Sequence, residues 1–196
     1  MRSRSLAAAA AALVLVAGTI TVVVALHKSP EKPPGCVATV DGTSYEVDLA
    51  QAANAATVAA VGKRAGLPDH AVTVALAAAL QESHLRNLPY GDRDSVGLFQ
   101  QRPSQGWGPR ADLLDPVYAA GAFYDRLRKV PGWPTLSVAV AAQRVQRSAL
   151  GSAYAQWEAE ARALARSLTG EVAAGLSCRF SKPLQPGSTS LATQWS

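Results

Sequence analysis

The sequence predicts a mainly α-helical domain, an orthogonal arrangement of short helices with a small β-hairpin at its N-terminal end. Apolar residues, mostly Ala, Leu and Val, recur at helical spacing over most of the chain after residue 48. Two short alternating segments flank an Asp-Gly pair near residue 41. The content of 48% hydrophobic and 17% charged residues is typical of a chain that buries a core. One globular domain, preceded by an apolar segment, therefore accounts for the 196 residues.

The predicted elements follow from turn and capping residues. Asp41-Gly42 suits a tight turn because both residues tolerate positive φ, which predicts a hairpin. Asp48 suits a helix N-cap, and Asp115-Pro116 suits a helix start because proline at the first helical position lacks only an unused amide hydrogen. The predicted segments are strands Cys36–Val40 and Thr43–Val47, helices from Asp48 to Arg64, Pro68 to about His84, Pro116 to Lys129, Thr135 to Arg147 and Ser152 to Leu168, and a long loop over Leu85–Arg110.

The N-terminal segment predicts export. Arg2 and Arg4 precede the apolar run Leu6–Leu26, which as a helix is roughly 31 Å long and matches the thickness of a bilayer core. We favour an uncleaved signal anchor, a single transmembrane helix over residues 1–26 with the domain facing the exterior. The alternative is a signal peptide that is cleaved, which leaves a secreted protein. In both cases His27–Gly35 is a Pro-rich spacer.

The two cysteines lie at the ends of the predicted domain, which we place at residues 36–178. In an oxidising compartment Cys36 and Cys178 are expected to form one disulfide that joins these ends, the alternative being two unpaired thiols. The tail Arg179–Ser196 is rich in Pro, Gly and Ser and is predicted to be disordered.

The charge of +5 and a pI near 9.5 indicate an anionic neighbour. Lys and Arg are scattered without any nucleic-acid-binding signature, so the partner is expected to be the cell envelope rather than nucleic acid. His27, His70 and His84 show no ligand spacing with carboxylates, and no metal or other cofactor is predicted.

Glu82 is the strongest candidate for chemistry because it closes the second helix just before the long polar loop. It follows Ala75 by seven residues and Ala79 by three, so it lies on the same helical stripe as the apolar residues. Burial and the negative end of the helix dipole both raise the pKa of a carboxyl group, as a general acid requires. In the alternative interpretation Glu82 turns to solvent or pairs with Arg86, one turn onward.

Three motifs in this region resemble the active site of the lysozyme-like superfamily, specifically the soluble lytic transglycosylases and goose-type lysozymes. They are Glu82-Ser83-His84, Gly91-Asp92-Arg93 and Gly97-Leu98-Phe99-Gln100. The likeness extends over roughly Val72 to Trp157, and the stretch from Arg102 to Gly108 also looks like exported lysozyme-like domains of actinobacteria. Phe99 stands at a position where the family usually has Met, and Gln143 and Arg144 stand where it has Tyr and Asn.

The resemblance implies a lysozyme-like orthogonal fold that cleaves peptidoglycan glycan strands between N-acetylmuramic acid and N-acetylglucosamine. Glu82 then protonates the bridging oxygen. In a lytic transglycosylase the substrate's N-acetyl group stabilises the positive charge that develops on the sugar ring. Glu82 next acts as base on the muramoyl C6 hydroxyl. In a goose-type lysozyme Asp92 positions water, with Asp94 as its competitor and turn formation as the alternative for both aspartates. Arg102 stands where the goose-type enzymes carry a further Asp, which weakens the hydrolase interpretation.

Polar and flat side chains near the motifs are the candidates for sugar binding. Ser83 is also expected to orient Glu82 or the helix end. The predicted substrate-binding residues are Ser83, Tyr90, Phe99, Gln100, Gln101, Trp107 and Gln143, whereas Tyr118, Phe123, Tyr124 and Trp133 are assigned to the core.

Two function classes follow: a peptidoglycan-cleaving glycosidase, or a non-catalytic wall-binding or scaffold domain that keeps the lysozyme-like groove. The residues at Gln143 and Arg144 leave the second class open. Glu82 favours the first, because a carboxylate on the core face is costly without a use.

Overall fold

The computed structural model describes residues 32–147 and 152–181, which form a mainly helical domain with a small antiparallel sheet. From Pro34 onward the described residues belong to one compact unit. The strands are β1 (Gly35–Val40), β2 (Thr43–Val47) and β3 (Leu176–Arg179), and the helices are α1 (Leu49–Arg64), α2 (Asp69–Ser83), α3 (Arg110–Leu113), α4 (Pro116–Leu127), α5 (Val138–Gln146) and α6 (Glu158–Thr169). Short 3-10 turns lie at Pro103–Gln105, Trp133–Thr135 and Ala155–Trp157.

The sheet has the strand order β2-β1-β3 and joins the two ends of the domain. The predicted hairpin is confirmed, with Asp41 at φ 52° and Gly42 at φ 79° in its turn. Strand β3 was not predicted, because an alternating run of only four residues carries little sequence signal. Its register places Cys178 opposite Cys36, and the disulfide between them is present as predicted.

Helix α1 begins where its N-cap predicts. The Asp48 carboxylate accepts a hydrogen bond from the Gln51 backbone amide at 2.8 Å, and the Gln51 side chain accepts one from the Asp48 amide at 2.9 Å. This reciprocal pair is a capping box. The helix ends at Arg64, followed by Gly66 at φ 70°, the predicted stop.

Helix α2 is the centre of the domain. Every residue from Ala71 to Leu80 is buried, so the helix is enclosed on all sides rather than on one stripe. It packs against α1, α4, α5 and α6, and the many alanines allow these helices to approach closely. Its C-terminal turn, which carries Glu82, is the part that emerges from the core.

Two predicted helices start later than the sequence pattern suggests. Helix α5 begins after Ser137, whose hydroxyl accepts from the Val140 amide, whereas Thr135 belongs to a preceding 3-10 turn. Helix α6 begins at Glu158, and Ala155–Trp157 before it is again a 3-10 turn. In both cases a short turn with i to i+3 hydrogen bonds extends the helical periodicity without being α-helix. The predicted stop of α6, Gly170, is confirmed at φ 83°.

Two predictions lie outside the described residues: the transmembrane segment Leu6–Leu26 and the disordered tail after residue 181. Arg179, predicted to begin that tail, belongs instead to β3, where it pairs with Gly35. Within residues 32–147 and 152–181, none of the helices has the length and apolar character needed to cross a bilayer.

Candidate active site

Glu82 lies in a cleft of about 590 Å³, formed where the end of α2 meets the long loop and the ends of α4 and α5. The volume is in the range of small-ligand sites. The lining is polar, with two acidic and four basic side chains. The residues that line it are Glu82, Asp92, Arg93, Ser95, Gln100, Arg102, Gln105, Trp107, Arg126, Gln146 and Arg147.

The Glu82 carboxyl group is half-buried and held by a tyrosine from another part of the chain. The Tyr154 hydroxyl donates to Glu82 Oε1 at 2.7 Å, and the Tyr154 side chain is fully buried. Burial raises the pKa of Glu82 above its ordinary value, while the hydrogen bond from Tyr154 and an interaction with the Gln146 amide act in the opposite direction. Glu82 therefore combines a raised pKa with a fixed orientation, the two requirements of a general acid.

The alternative in which Glu82 pairs with Arg86 is not what the structure shows. Arg86 Nη2 lies 2.6 Å from Asp48 Oδ2, at the N-terminus of α1. That ion pair ties the chain after α2 to α1 and leaves Glu82 facing the cleft.

The support for Glu82 comes from residues that the sequence pattern did not identify. Gln143, which was predicted to bind substrate, is absent from the cleft lining. Gln146, one turn further along α5, lines the cleft instead and donates to the Phe99 carbonyl at 2.8 Å. Tyr154 lies before α6, just ahead of the 3-10 turn Ala155–Trp157. A tyrosine near a predicted helix start was its only sequence signal, and it did not distinguish this residue from core tyrosines.

The backbone that follows Glu82 is strained and firmly anchored. His84 and Leu85 both have positive φ, 51° and 58°, a conformation that non-glycine residues rarely adopt. The Gln51 side-chain amide donates to the His84 carbonyl at 2.9 Å, and the Asn54 amide donates to the Leu85 carbonyl at 2.8 Å. These bonds from α1 fix the turn at which the helix ends and the cleft begins.

Ser83 joins the helix end to the long loop rather than facing the cleft. Its hydroxyl is buried, donates to the Leu98 carbonyl at 2.7 Å and accepts from the Arg86 amide at 3.2 Å. Its predicted role as a sugar ligand is therefore wrong, whereas its predicted role at the helix end is confirmed.

The two aspartates of the loop differ in their surroundings. Asp94 accepts from Arg102 Nε at 2.7 Å and from the Ser104 amide at 2.8 Å, and these bonds hold its pKa well below the usual range. Asp94 is thus committed to the loop's structure. Asp92 lines the cleft but is 93% exposed, with Arg93 at 3.8 Å as its ion-pair partner. Within the described loop, no short hydrogen bond holds the Asp92 carboxylate in one orientation.

The predicted sugar-binding residues separate into cleft and core. Gln100 lines the cleft, although its amide donates to the carbonyls of Tyr90 and Gly97, both at 3.2 Å. Tyr90 is 68% exposed and lies outside the cleft lining. Gln101, at 1% exposure, donates to the Ala119 carbonyl inside the core, so its predicted role in sugar binding is wrong.

Phe99 is a further correction. It is 1% exposed and stacks on Phe123 with ring centroids 4.8 Å apart, so its ring is part of the core and does not meet solvent. Phe123 and Tyr124 are buried as predicted, Trp133 is half-buried, and Tyr118 is 39% exposed rather than in the core.

Trp107 is the aromatic residue of the cleft lining. The Arg126 guanidinium carbon lies 3.5 Å from the centroid of its ring, a cation–π contact. Arg126 Nη2 also donates to the carbonyls of Gln105 at 3.0 Å and Gly106 at 2.9 Å. Trp107 is 9% exposed, and the Arg126 guanidinium covers one face of its ring.

Among the described residues no group of three or more His, Cys, Asp or Glu side chains is arranged to hold a metal ion. A comparison of the chain with protein-family models and with curated proteins finds no match.

Proposed function

We propose that this domain cleaves the glycan strand of peptidoglycan between N-acetylmuramic acid and N-acetylglucosamine, with Glu82 as general acid and then base. The observation that carries the proposal is the Glu82 carboxyl group itself, half-buried in a cleft, oriented by Tyr154 at 2.7 Å and raised in pKa by burial. The motifs around Glu82 and Gly97, which resemble those of the lysozyme-like superfamily, support the choice of substrate.

The carboxyl groups of the cleft favour a lytic transglycosylase over a hydrolase. Hydrolysis by a two-carboxylate mechanism needs a second carboxylate in a defined position. Asp92 is 93% exposed, and Asp94 is bound to Arg102 and Ser104. A transglycosylase uses the substrate's own N-acetyl group and muramoyl C6 hydroxyl, so that Glu82 alone suffices and the product carries a 1,6-anhydro end.

The disulfide between Cys36 and Cys178 supports a location outside the cytoplasm, since such bonds persist in oxidising compartments. Together with the apolar run Leu6–Leu26, it leads us to propose a domain exposed at the exterior of the cell membrane. The alternative is secretion after cleavage of that run.

The test is incubation of the full-length protein with purified peptidoglycan, followed by mass spectrometry of the released muropeptides. Glu82→Gln should reduce release at least about 100-fold, since it removes the proton donor. Glu160→Gln is the matched control: burial also raises the pKa of Glu160, but this residue does not line the cleft, and its variant should cleave as the wild type does.

The products decide between the mechanisms. Anhydro-muramoyl ends support the transglycosylase, and reducing ends indicate hydrolysis with Asp92 as the residue to examine next. Undiminished release by Glu82→Gln contradicts the assignment of Glu82. Binding to peptidoglycan without any cleavage by the wild type supports the non-catalytic wall-binding class instead.

A further inference from the structure

Beside the cleft that holds Glu82 lies a second hollow of about 530 Å³ whose charged side chains are all basic. The two hollows share Gln105, Arg126 and Arg147, so they adjoin each other. The residues that line the second hollow, called the basic pocket below, are Gln105, Arg126, Lys129, Val130, Pro131, Arg144, Val145 and Arg147.

The charge of the basic pocket is not neutralised within the part of the chain described. Arg126, Lys129, Arg144 and Arg147 form no ion pair with any acidic residue in residues 32–147 and 152–181. By contrast, Arg102 in the adjoining cleft is paired with Asp94, and Arg93 has Asp92 as its neighbour. The uncompensated positive charge is thus concentrated on one side of the Glu82 cleft.

Two of the four cations, Arg126 and Arg147, also repel each other. Burial lowers the pKa of Arg126, and the charge of Arg147 lowers it further, which shows that the two guanidinium groups are close enough to interact. Arg126 is held in place by the Gln105 and Gly106 carbonyls and by the ring of Trp107, and the Arg144 Nη1 group donates to the Pro131 carbonyl at 3.3 Å. An anion between these groups relieves the repulsion and forms charge-assisted hydrogen bonds.

We infer that the basic pocket binds an anionic substituent, a carboxylate or a phosphodiester, carried by the glycan strand that occupies the Glu82 cleft. This inference rests on the proposed function, because it takes the glycan strand as the ligand. The two anion sources on such a strand are the carboxylates of its peptide stems and the phosphodiesters that attach other wall polymers to it. The basic pocket then favours glycan strands that carry such an anionic group next to the glycosidic bond that is cleaved.

The test measures binding rather than cleavage, with full-length protein carrying Glu82→Gln so that the glycan stays intact. The parent is sedimented with insoluble peptidoglycan in three preparations: untreated, freed of phosphodiester-linked polymers by acid, and with the carboxylates of its peptide stems converted to amides. Affinity should fall about tenfold after one of the two treatments, and the treatment that lowers it identifies the anion. Binding to untreated material should also weaken as salt is raised.

The pocket variant adds Lys129→Gln and Arg144→Gln, both of which change exposed side chains. It should bind untreated peptidoglycan about tenfold more weakly than the parent and should no longer distinguish the three preparations. The matched control adds Lys63→Gln and Arg162→Gln, an equal loss of charge at exposed sites outside both hollows, and should bind as the parent does.

Equal binding by the pocket variant and the control on every preparation overturns the inference, as does a parent that fails to bind untreated peptidoglycan. The proposed function fails separately, in the cleavage assay with the wild type. If the wild type does not cleave peptidoglycan but binds it through Lys129 and Arg144, the anion site is supported and the proposed glycosidase activity is contradicted.

Discussion

At the scale of single residues, the proposed chemistry depends on the environment of one carboxyl group. Glu82 is raised in pKa by burial and restrained by the hydroxyl of Tyr154. Burial and the hydrogen bond from Tyr154 shift the pKa of Glu82 in opposite directions, and the hydrogen bond also fixes the orientation of the carboxyl group. Protonation near neutral pH and a fixed direction of the proton are both needed for transfer to a glycosidic oxygen.

Tyr154→Phe should change the pH dependence of cleavage in a defined direction. The hydroxyl donates to the carboxylate and so stabilises the ionised form of Glu82; without it the pKa of Glu82 rises. Because Glu82 must be protonated to act as acid, the basic limb of the kcat/KM profile moves to higher pH. The maximal rate should fall about 10- to 100-fold, since the carboxyl group is less well oriented.

Tyr124→Phe is the control for this change, since its buried hydroxyl donates to the Val58 carbonyl at 3.0 Å, within the core. It should lower the free energy of unfolding by about 1 kcal/mol without moving the pH profile. A shift of the basic limb in Tyr124→Phe, or its absence in Tyr154→Phe, contradicts the assigned role of Tyr154.

At the scale of elements, the cleft depends on how α1 is joined to the end of α2. Asp48 caps α1 and also binds Arg86, while Gln51 caps α1 and binds the carbonyl of His84. A helix start predicted from the local sequence thus also positions the strained turn after Glu82. The capping role was predictable because it involves residues three apart, whereas the partner 38 residues away was not.

Asp48→Ala should destabilise the domain by about 1 to 2 kcal/mol in urea unfolding at pH 7, because it removes the N-cap. The backbone amide of Gln51, followed by Arg86, lowers the pKa of Asp48 below its ordinary value of 3.8. The resulting stabilisation is present above that value and is lost as the pH falls through the folded-state pKa. The difference in the free energy of unfolding between the wild type and Asp48→Ala should therefore become smaller as the pH falls below 3.8.

Asp48→Asn separates the contribution of the N-cap from that of the ion pair with Arg86. Asparagine keeps the N-cap but loses the charge, so it should retain most of the stability that alanine loses. The ion pair with Arg86 is exposed and is expected to contribute little. A loss as large as that of alanine would show instead that the tether to Arg86 dominates.

At the scale of the whole molecule, the disulfide closes the domain by joining the first and last strands of the sheet. Cys36 and Cys178 are 142 residues apart in sequence and opposite each other in the β1–β3 pair. Cross-linking so long a loop restricts the unfolded chain far more than the folded one.

Cys36→Ser with Cys178→Ser should therefore lower the free energy of unfolding by about 4 to 5 kcal/mol on the chain-entropy model. Urea denaturation with and without dithiothreitol measures this. The reductant should destabilise the wild type and leave the double variant unchanged. An equal response of both proteins to the reductant contradicts a stabilising role for the bond.

The local sequence alone is enough to predict the hairpin, the capped start of α1, the stop glycines and the ends that the disulfide joins. These features depend on positive φ, hydrogen bonds between near neighbours, and compartment chemistry. Glu82 could also be predicted as a candidate from the sequence. The apolar stripe on which that prediction relied does not exist as a separate face, since α2 is buried on all sides. Its exposure at the cleft follows from where the helix leaves the core.

Tertiary packing decided the rest of the site. Tyr154 lies 72 residues from Glu82, and Gln146 replaces Gln143 because α5 turns that side chain toward the cleft. Phe99 and Gln101 are residue types suited to binding sugars, but both are buried in the core. The basic pocket likewise brings together cations that lie on or just after α4 and α5 and look scattered along the chain. Burial, distant hydrogen-bond partners and clustered charge are properties of the packed chain, and local sequence spacing does not encode them.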